Sequence, residues 1–380
     1  MARILIPLES ASGETRVAGS PETVKKLVAL GCNVFLEEGA GLLSGFLDQS
    51  YIEAGAEIIS SGNADFSKEI DAILCVNSPK EEFLSKLKPG TLLIGLLAPY
   101  GNLSLQNCLM NGKLSALALE LLPRISRAQA SDALSSQANI AGYKAVLIGA
   151  SALDRYFPML MTAAGTVQPA KVVVLGAGVA GLQAIATAKR LGAVVFVSDI
   201  RPAVKEQVES LGGRFIEPPE LSEKPSESGG YARQASAEFL SAQRKQLTKK
   251  LAEADVVICT AQVPGKKAPL LINEDMLDQM RTGSVVVDLA VAQGGNCYGT
   301  EATKTIDRKG VKLIGASDLP CSVPNHASSL YARNLFSLMK TIIKDEKIIL
   351  DTEDELIDGS LISKDGSIRF NEIFNSGGSN

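Results

Sequence analysis

The feature that most constrains the fold of this chain is a hydrophobic strand that runs into three closely spaced glycines and then into a helix. Residues 171–181 read KVVVLGAGVAG, with Gly176, Gly178 and Gly181 in a G-x-G-x-x-G spacing, and LQAIATAKRLG follows. The first glycine permits a tight turn, the second lets backbone amides approach a pyrophosphate, and the third lets helix and strand pack closely. The segment therefore predicts a βαβ unit that binds a dinucleotide at the start of its helix.

An acidic residue, Asp199, follows the next predicted strand, Val194 to Ser198. A carboxylate there accepts hydrogen bonds from ribose hydroxyls and repels a 2′-phosphate, so the sequence favours NAD(H) over NADP(H). Arg201 lies two residues further on and weakens that preference. Ligands lie at the carboxyl ends of parallel strands. The other predicted cofactor contacts are Ala177, Val179, Ala180, Ile200, Gln262, Val263, Pro264, Gly265 and Leu289.

Length and composition point to a globular protein with more than one domain. The chain has 380 residues, of which 46% are hydrophobic and 21% charged, and its net charge of −4 offers no basic surplus for nucleic acid. Six scattered cysteines and one histidine form no metal-binding pattern, so we expect free thiols and no metal. The longest apolar runs, such as residues 91–98, are too short to span a bilayer. We expect the chain to be soluble in isolation, without a signal peptide.

Short β-rich runs alternate with amphipathic runs along the chain, which predicts an α/β fold with two doubly wound, Rossmann-like units and parallel sheets. Ser20-Pro21-Glu22 is a helix start, because serine caps the helix, proline suits its first position and an acid follows. A long helical stretch, residues 131–156, precedes the second unit, and another helix is predicted at 328–344. Lys364-Asp365-Gly366 reads as a turn between two short strands.

One segment interrupts the α/β rhythm. Residues 217–230 read EPPELSEKPSESGG, with almost no apolar residue to anchor them in a core. This composition predicts a mobile loop at about 217–233, within a unit where a short turn would suffice. The loop is either a surface insertion or a lid over a site, and Tyr231 would lie at its tip.

A polar cluster precedes the second unit. Arg124 and Arg127 lie next to Pro123, and three polar residues follow at three-residue steps, which predicts that they share one helical face: Gln129, Asp132 and Ser135. One interpretation is a capped, solvated helix start. The other is a ligand-binding patch, in which an amide, a carboxylate, a hydroxyl and an arginine hold the nicotinamide half of NAD.

These residues resemble the NAD(H)-binding domain of proton-translocating transhydrogenases. The resemblance covers nearly the whole chain and is carried by LLPRISRAQASDALSSQANIAGYKAV, MTAAGTVQPAKVVVLGAGVAGLQAIATAKRLGA and KEQVESLGG. It implies an alanine dehydrogenase-like fold, with residues 1–130 and 327–380 in one domain and 131–326 in the other. It also implies that Arg124, Gln129, Asp132 and Ser135 hold the nicotinamide mononucleotide half, and that Tyr231 lies on a loop that closes over the cofactor.

The nearest rival is an amino-acid dehydrogenase like alanine dehydrogenase, which needs a base and a cation for its substrate. That family shows V-K-E-P, L-H-L-A and D-V-A-x-D-Q-G-G runs. This chain resembles them but carries Asn77, Leu96 and Ala292 in place of the lysine, histidine and aspartate. Only Arg16 remains of the substrate set. His326, the one histidine, lies beside a predicted helix start and reads more simply as a capping or interface residue.

Hydride exchange between two nicotinamides releases no proton, so it needs no acid, base or metal, only close apposition of the two rings. One glycine fingerprint implies that the second ring comes from another polypeptide. The resemblance implies a homodimer, an NADP(H)-binding partner that alone carries NADP(H), and a membrane-spanning proton channel. It also implies a peripheral position at the cytoplasmic face of the inner membrane. A non-catalytic NAD(H) sensor is the third hypothesis.

Overall fold

The computed structural model describes residues 1–60, 69–217, 237–263 and 265–375, with the side chains of 237–243 left out. The strands are β1 Arg3–Ile6, β2 Asn33–Glu37, β3 Glu57–Ile59, β4 Ala72–Asn77, β5 Leu92–Leu96, β6 Ser115–Ala118, β7 Leu160–Thr162, β8 Gly165–Val167, β9 Lys171–Leu175, β10 Val194–Ser198, β11 Arg214–Phe215, β12 Val256–Cys259, β13 Val285–Asp288, β14 Thr305–Arg308, β15 Val311–Gly315, β16 Ile343–Lys344, β17 Lys347–Ile348, β18 Leu361–Lys364 and β19 Ser367–Ile368. The helices are α1 Pro21–Ala29, α2 Asp48–Glu53, α3 Glu81–Leu84, α4 Leu103–Asn111, α5 Ala133–Ala152, α6 Val179–Arg190, α7 Lys205–Ser210, α8 Ala237–Ala252, α9 Glu274–Leu277, α10 Pro324–Ile342, α11 Glu355–Ser360 and α12 Asn371–Asn375.

The chain divides into two compact units. Unit 1 contains Met1–Ala138 and Pro320–Asn380, and unit 2 contains Asn139–Leu319. The sequence placed the boundaries at residues 130 and 326, whereas the structure places them at 138 and 319. The first boundary differs because it falls inside α5, whose continuous apolar sequence gave no sign of a division.

Unit 1 is built on a sheet of strand order β19-β18-β6-β5-β4-β1-β2-β3. The chain adds β2 and β3 on one side of β1 and then returns to add β4, β5 and β6 on the other side, all in parallel. Its point of reversal therefore lies between β1 and β4. The start of α1 forms as predicted, because Ser20 caps the helix in a reciprocal capping box with Thr23.

Unit 2 is built on a sheet of strand order β11-β10-β9-β12-β13-β15-β14. The chain places β10 and β11 on one side of β9 and then reverses to β12 and β13 on the other, again in parallel. Four consecutive residues of β9, Val172 to Leu175, are almost fully buried, as expected for a strand covered on both faces. The point of reversal is between β9 and β12, where open α/β sheets bind ligands.

The α/β doubly wound fold is confirmed, but the prediction of purely parallel sheets was wrong at the edges. β14 pairs antiparallel with β15, and β18 pairs antiparallel with both β6 and β19. Two-residue turns cause two of these pairings: Lys309-Gly310 and Asp365-Gly366 each hold both residues at positive φ. Such turns join antiparallel neighbours only. The Lys364–Gly366 turn was predicted, whereas the one at Lys309 was missed.

The helical stretch predicted at 131–156 is shorter than expected, because α5 runs only from Ala133 to Ala152. A short antiparallel hairpin, β7–β8, follows it and was not predicted. No described helix is long and apolar enough to cross a membrane. No group of three or more metal-ligating side chains was found in the described ranges.

Candidate functional site

The glycine loop of unit 2 joins β9 to α6, and each of its three glycines is required for a different reason. Gly176 has a φ of +99°, which a side chain would strain. A Cβ on Gly181 would lie 1.9 Å from the carbonyl oxygen of Gly176, so only glycine allows this approach of helix to strand. A Cβ on Gly178 would meet no atom within 4 Å, so space is open above it.

The start of α6 offers unpartnered backbone donors at this open space. The first N–H groups of an α-helix have no partner within the helix, and Gly178, its N-cap, has no side chain to satisfy them. Val179 begins the helix with its side chain 41% exposed, and Ala180 and Gly181 complete the first turn. This combination of free amides, a helix N-terminus and open space suits a pyrophosphate.

Asp199 follows the carboxyl end of β10 and faces the same loop. Its carboxylate accepts a hydrogen bond from the Ala177 amide at 2.6 Å and is bound twice by the Arg201 guanidinium, at 2.9 and 3.0 Å. Burial acts to raise the pKa of Asp199, but the hydrogen bonds from Arg201 and Ala177 outweigh it and lower the pKa. The carboxylate is therefore held ionised, and Arg201 is engaged by it.

Two exposed apolar side chains lie on the loops that follow β10 and β12. Ile200 is 81% exposed and Val263 is 42% exposed. An exposed isoleucine directly after a ribose-binding acid has no role in the core of unit 2. A flat apolar ring, such as adenine, is the kind of ligand that such side chains cover.

The loops after β12 and β13 are fixed by hydrogen bonds. Gln262 donates to the carbonyl of Leu289 at 2.7 Å, so these two predicted contacts bind each other. Leu289 is buried, and Gly265 has a φ of +68°. Pro264, Tyr231 and the predicted loop beyond residue 217 lie outside the described residues.

Sequence reasoning missed three residues that shape this edge. Thr260 donates to the backbone of the glycine loop, at the carbonyls of Leu175 and Gly176. Asn296 is fully buried and binds both the N–H and the carbonyl of Ala261. Asp288 accepts from the Asn296 amide and three other donors. A polar residue at the end of a buried strand was the available signal for Thr260 and Asp288, whereas Asn296 had none.

The polar cluster of unit 1 does not lie on one helical face, which corrects that prediction. Gln129 belongs to a 3₁₀ helix, Ser126–Ser131, and α5 begins only at Ala133. Asp132 lies at the break, with a ψ of 86°. The cluster is divided because this aspartate acts as a helix cap: it accepts from the Ser135 amide at 2.9 Å and from its hydroxyl at 2.5 Å.

The two arginines of the cluster differ in their partners. Arg127 forms a two-pronged ion pair with Asp354, at 2.5 and 3.0 Å, and this pair raises the pKa of Arg127. Arg124 is exposed and has no side-chain hydrogen bond or ion pair within the described residues. Gln129 is likewise exposed and makes no side-chain hydrogen bond there. Arg124 is thus the arginine left available for a ligand.

Arg16 lies in a buried network of unit 1. Its Nε and Nη2 bind the two carboxylate oxygens of Glu14 at 2.7 and 2.6 Å, and its Nη1 donates to Gln137 at 3.0 Å. Burial acts to raise the pKa of Glu14, but Arg16 overrides it and lowers the pKa to about 2. Asn77 donates to the same carboxylate at 2.7 Å. The whole fork of Arg16 is therefore occupied by side chains of its own unit, which gives it a structural role.

Comparison with known proteins follows the same division. The model of the alanine dehydrogenase/PNT N-terminal domain matches residues 5–141, and that of the C-terminal domain matches residues 145–371. A solved transhydrogenase structure from Sinorhizobium meliloti matches with a TM-score of 0.88 and 44% identity, over 97% of this chain and 100% of that one. An L-alanine dehydrogenase structure matches with a TM-score of 0.83 and 28% identity, over 98% of each chain.

Curated relatives separate the two branches of the family. In Rhodospirillum rubrum the alpha subunit of NAD(P) transhydrogenase is divided, and its first polypeptide is 46% identical over 374 residues, 96% of this chain and 97% of the relative. The alanine dehydrogenase of Bacillus subtilis is 30% identical over 327 residues, 84% of this chain and 80% of the relative. The chain therefore belongs to the alanine dehydrogenase/PNT family, on the branch of the NAD(P) transhydrogenase alpha subunits.

Proposed function

We propose that this chain is the NAD(H)-binding component of a proton-translocating transhydrogenase, which holds NADH for direct hydride transfer to NADP⁺ on a partner domain. The observation that carries the proposal is a contrast between two groups of residues. In unit 2 the glycine loop leaves open space and unpartnered amides beside an ionised Asp199. In unit 1 the one arginine retained from the dehydrogenase substrate set is closed off by Glu14 and Gln137.

The adenosine half of NAD(H) fits the residues of unit 2. The first-turn amides of α6 bind the pyrophosphate, and Gly178 gives them access. The Asp199 carboxylate accepts from the ribose hydroxyls. Ile200 and Val263 cover the two faces of the adenine ring, which accounts for their exposure in the free chain.

The nicotinamide half is assigned to Arg124, Gln129, Asp132 and Ser135, together with Tyr231, as the family resemblance implies. The free guanidinium of Arg124 and the free amide of Gln129 support this assignment, because a ligand meets no competing partner there among the described residues. When bound, NADH supplies the hydride. The side chains orient the carboxamide and ribose and exclude water, and none of them transfers a proton.

The same proposal includes three partners. They are an NADP(H)-binding domain, a membrane-spanning domain that conducts protons, and a second copy of this chain, at the cytoplasmic face of the inner membrane. The hairpin β7–β8 supports the homodimer, because Met161 on it is 78% exposed and Val167 is 39% exposed. Exposed apolar side chains on a short hairpin are typical of an interface.

The test mixes the chain with an NADP(H)-binding transhydrogenase domain and follows stereospecific hydride exchange between NADH and an NADP⁺ analogue. Gln129→Ala and Asp132→Ala are expected to lower the exchange rate by roughly 100-fold, because the nicotinamide ring loses its alignment. Asp132→Asn keeps an oxygen that caps α5 and is expected to lose exchange while retaining stability. Gln49→Ala, at an exposed glutamine on α2, is the matched control with an unchanged rate.

The same assay separates the rival functions. An amino-acid dehydrogenase would reduce NAD⁺ with an amino acid and the isolated chain, and the occupied fork of Arg16 argues against this. An NAD(H) sensor would bind NADH and exchange no hydride with any NADP(H)-binding partner. Exchange at the wild-type rate in both Gln129→Ala and Asp132→Asn would refute the proposed nicotinamide site.

A further inference from the structure

The backbone that carries the polar cluster changes helix type in the middle. The 3₁₀ helix Ser126–Ser131 ends in Asp132, and α5 starts one residue later. Two backbone hydrogen bonds span the break, from Asp132 N to Gln129 O and from Ser136 N to Asp132 O, and both are long at 3.3 Å. The relative direction of Gln129 and Asp132 therefore depends on contacts from outside this segment.

One side chain from α10 bridges that break. The Nδ2 of Asn334 donates to the carbonyl of Ala130 at 2.9 Å, on the 3₁₀ side. Its Oδ1 accepts from the Ser136 hydroxyl at 2.7 Å, on the α5 side. Asn334 is only 9% exposed, so both hydrogen bonds are largely shielded from water and their loss is not readily made good by solvent.

We propose that Asn334 is a positioning residue, which fixes the angle of the break so that Gln129, Asp132 and Ser135 address one ligand together. The inference rests on the proposed function for its readout in hydride exchange. Asn334 reaches the break from far along the chain, since its two partners are 198 and 204 positions away. It does not touch the ligand in this proposal, and acts only through the backbone and Ser136.

The chemistry of the bridge requires an amide. One planar group must donate on one side and accept on the other, which asparagine does and aspartate or leucine does not. A second contact stabilises the α5 side: Gln137 accepts from Arg16 and donates to the carbonyl of Ala327 at the start of α10. Ser136 and Gln137 together tie the first turn of α5 to α10, whereas the 3₁₀ side has only Asn334 as its side-chain tie to α10 among the described residues.

The experiment compares Asn334→Ala and Asn334→Asp with Ser328→Ala as the matched control. Ser328 lies on the same helix, is fully buried and binds the Val17 amide and the Ser44 hydroxyl, away from the break. Asn334→Ala is expected to lower kcat for hydride exchange by roughly 10- to 100-fold with little change in KM for NADH, because the adenosine half still binds. Asn334→Asp keeps the Ser136 contact but loses the donor, and is expected to lie between Asn334→Ala and the wild type.

Thermal unfolding separates positioning from stability. Asn334→Ala and Ser328→Ala each remove a buried side-chain hydrogen-bonding group and are expected to lower Tm by similar amounts, but only the first is expected to reduce kcat. If Asn334→Ala does not fold, Ser136→Ala breaks the same bridge from α5 and must show the same loss of kcat. Equal kcat in the Asn334 and Ser328 variants overturns the proposal.

Failure of the proposed function gives a different result. If the wild-type chain exchanges no hydride with any NADP(H)-binding domain, the function is refuted, and the bridge is then judged by fluorescence titration with NADH. A quenching or emission change of bound NADH that differs between Asn334→Ala and Ser328→Ala supports altered placement of the nicotinamide ring. Identical emission of bound NADH in the two variants overturns the positioning role.

Discussion

At the point of reversal in unit 2, between β9 and β12, the glycine loop leaves open space above Gly178. Between β1 and β4 in unit 1, the same kind of edge is filled by the chain itself. There Glu9 accepts from the Val76 and Asn77 amides at 2.5 and 3.2 Å, and the Tyr331 hydroxyl donates to the carbonyl of Cys75 at 2.8 Å. One topology thus serves as a ligand site in one unit and as a sealed structural joint in the other. What decides between them is whether side chains satisfy the backbone at the strand ends.

The largest expected effect concerns the sealed joint. Arg16→Ala leaves Glu14 buried without its cation and is expected to lower the free energy of unfolding by about 3–5 kcal/mol. Urea denaturation measures it. Arg127→Ala removes an ion pair whose arginine is 57% exposed, and is expected to cost no more than about 1 kcal/mol. Similar losses from the two variants would show that the Arg16 network is not a joint.

The open edge is tested by two glycines three residues apart. Gly181→Ala forces a Cβ to within 1.9 Å of the Gly176 carbonyl oxygen and is expected to lower stability by about 1–3 kcal/mol and to abolish NADH binding. Gly178→Ala meets no atom and is expected to keep full stability while weakening NADH binding. Calorimetric titration with NADH and thermal unfolding provide both readings. A Gly178→Ala chain that binds NADH normally would place the pyrophosphate elsewhere.

Nucleotide preference is the next test. Asp199→Asn removes the charge that engages Arg201 and is expected to weaken NADH binding about tenfold, since a charge-assisted hydrogen bond contributes about 1.5–3 kcal/mol. Arg201 is then free for a 2′-phosphate, so binding of NADPH is expected to improve. Fluorescence titration of both nucleotides measures the change. Adding Arg201→Ala is expected to remove the gain for NADPH, and a gain that persists would contradict the role of Arg201.

The smallest expected effect is the pH dependence of the sealed joint. Burial raises the pKa of Glu9 from 4.5 to about 7, despite hydrogen bonds from the Val76 and Asn77 amides that lower it. The folded chain then holds this proton more tightly than the unfolded chain, so the contribution is complete below pH 4.5 and is lost as pH rises through 7. Glu9→Gln is expected to reduce the fall in stability between about pH 5 and about pH 8 by about 1–2 kcal/mol.

Urea denaturation at several pH values checks this prediction. Glu53→Gln, at an exposed acid on α2, is the control and is expected to follow the wild-type profile. Glu14 acts in a separate window, because its pKa of about 2 means that its contribution is present above 4.5 and is lost as pH falls toward 2. A Glu9→Gln profile that changes only in that acidic window would assign the effect to the wrong carboxylate.

The sequence predicted what depends on local pattern. The capped start of α1 at Ser20, the β9–glycine loop–α6 unit and the turn at Asp365-Gly366 all follow from residue types within a few positions of each other. The strands Lys171–Leu175, Val194–Ser198 and Val285–Asp288 have the bounds that were predicted. Short spacing is where helix caps, glycine conformations and hydrophobic runs are decided.

What the sequence did not predict depends on distant contacts. The break at Asp132 was missed because a three-residue spacing reads as a helical face, whereas the cap of α5 and Asn334 of α10 interrupt it. The closure of Arg16 by Gln137 joins residues 121 positions apart. Hydrogen-bond partners of this kind leave no periodicity in the sequence, so they emerge only when the fold brings the segments together.

The pairing of Arg201 with Asp199 has a consequence for coupling. An enzyme that exchanges hydride between two nucleotides differing by one phosphate must keep each pool at its own station, or hydride would pass between identical carriers and proton flow would gain no driving force. Here a 2′-phosphate would have to draw the guanidinium off the carboxylate and then face that carboxylate unshielded. A single ion pair thus penalises the wrong nucleotide twice, and selectivity at this site becomes a condition for energy conversion elsewhere.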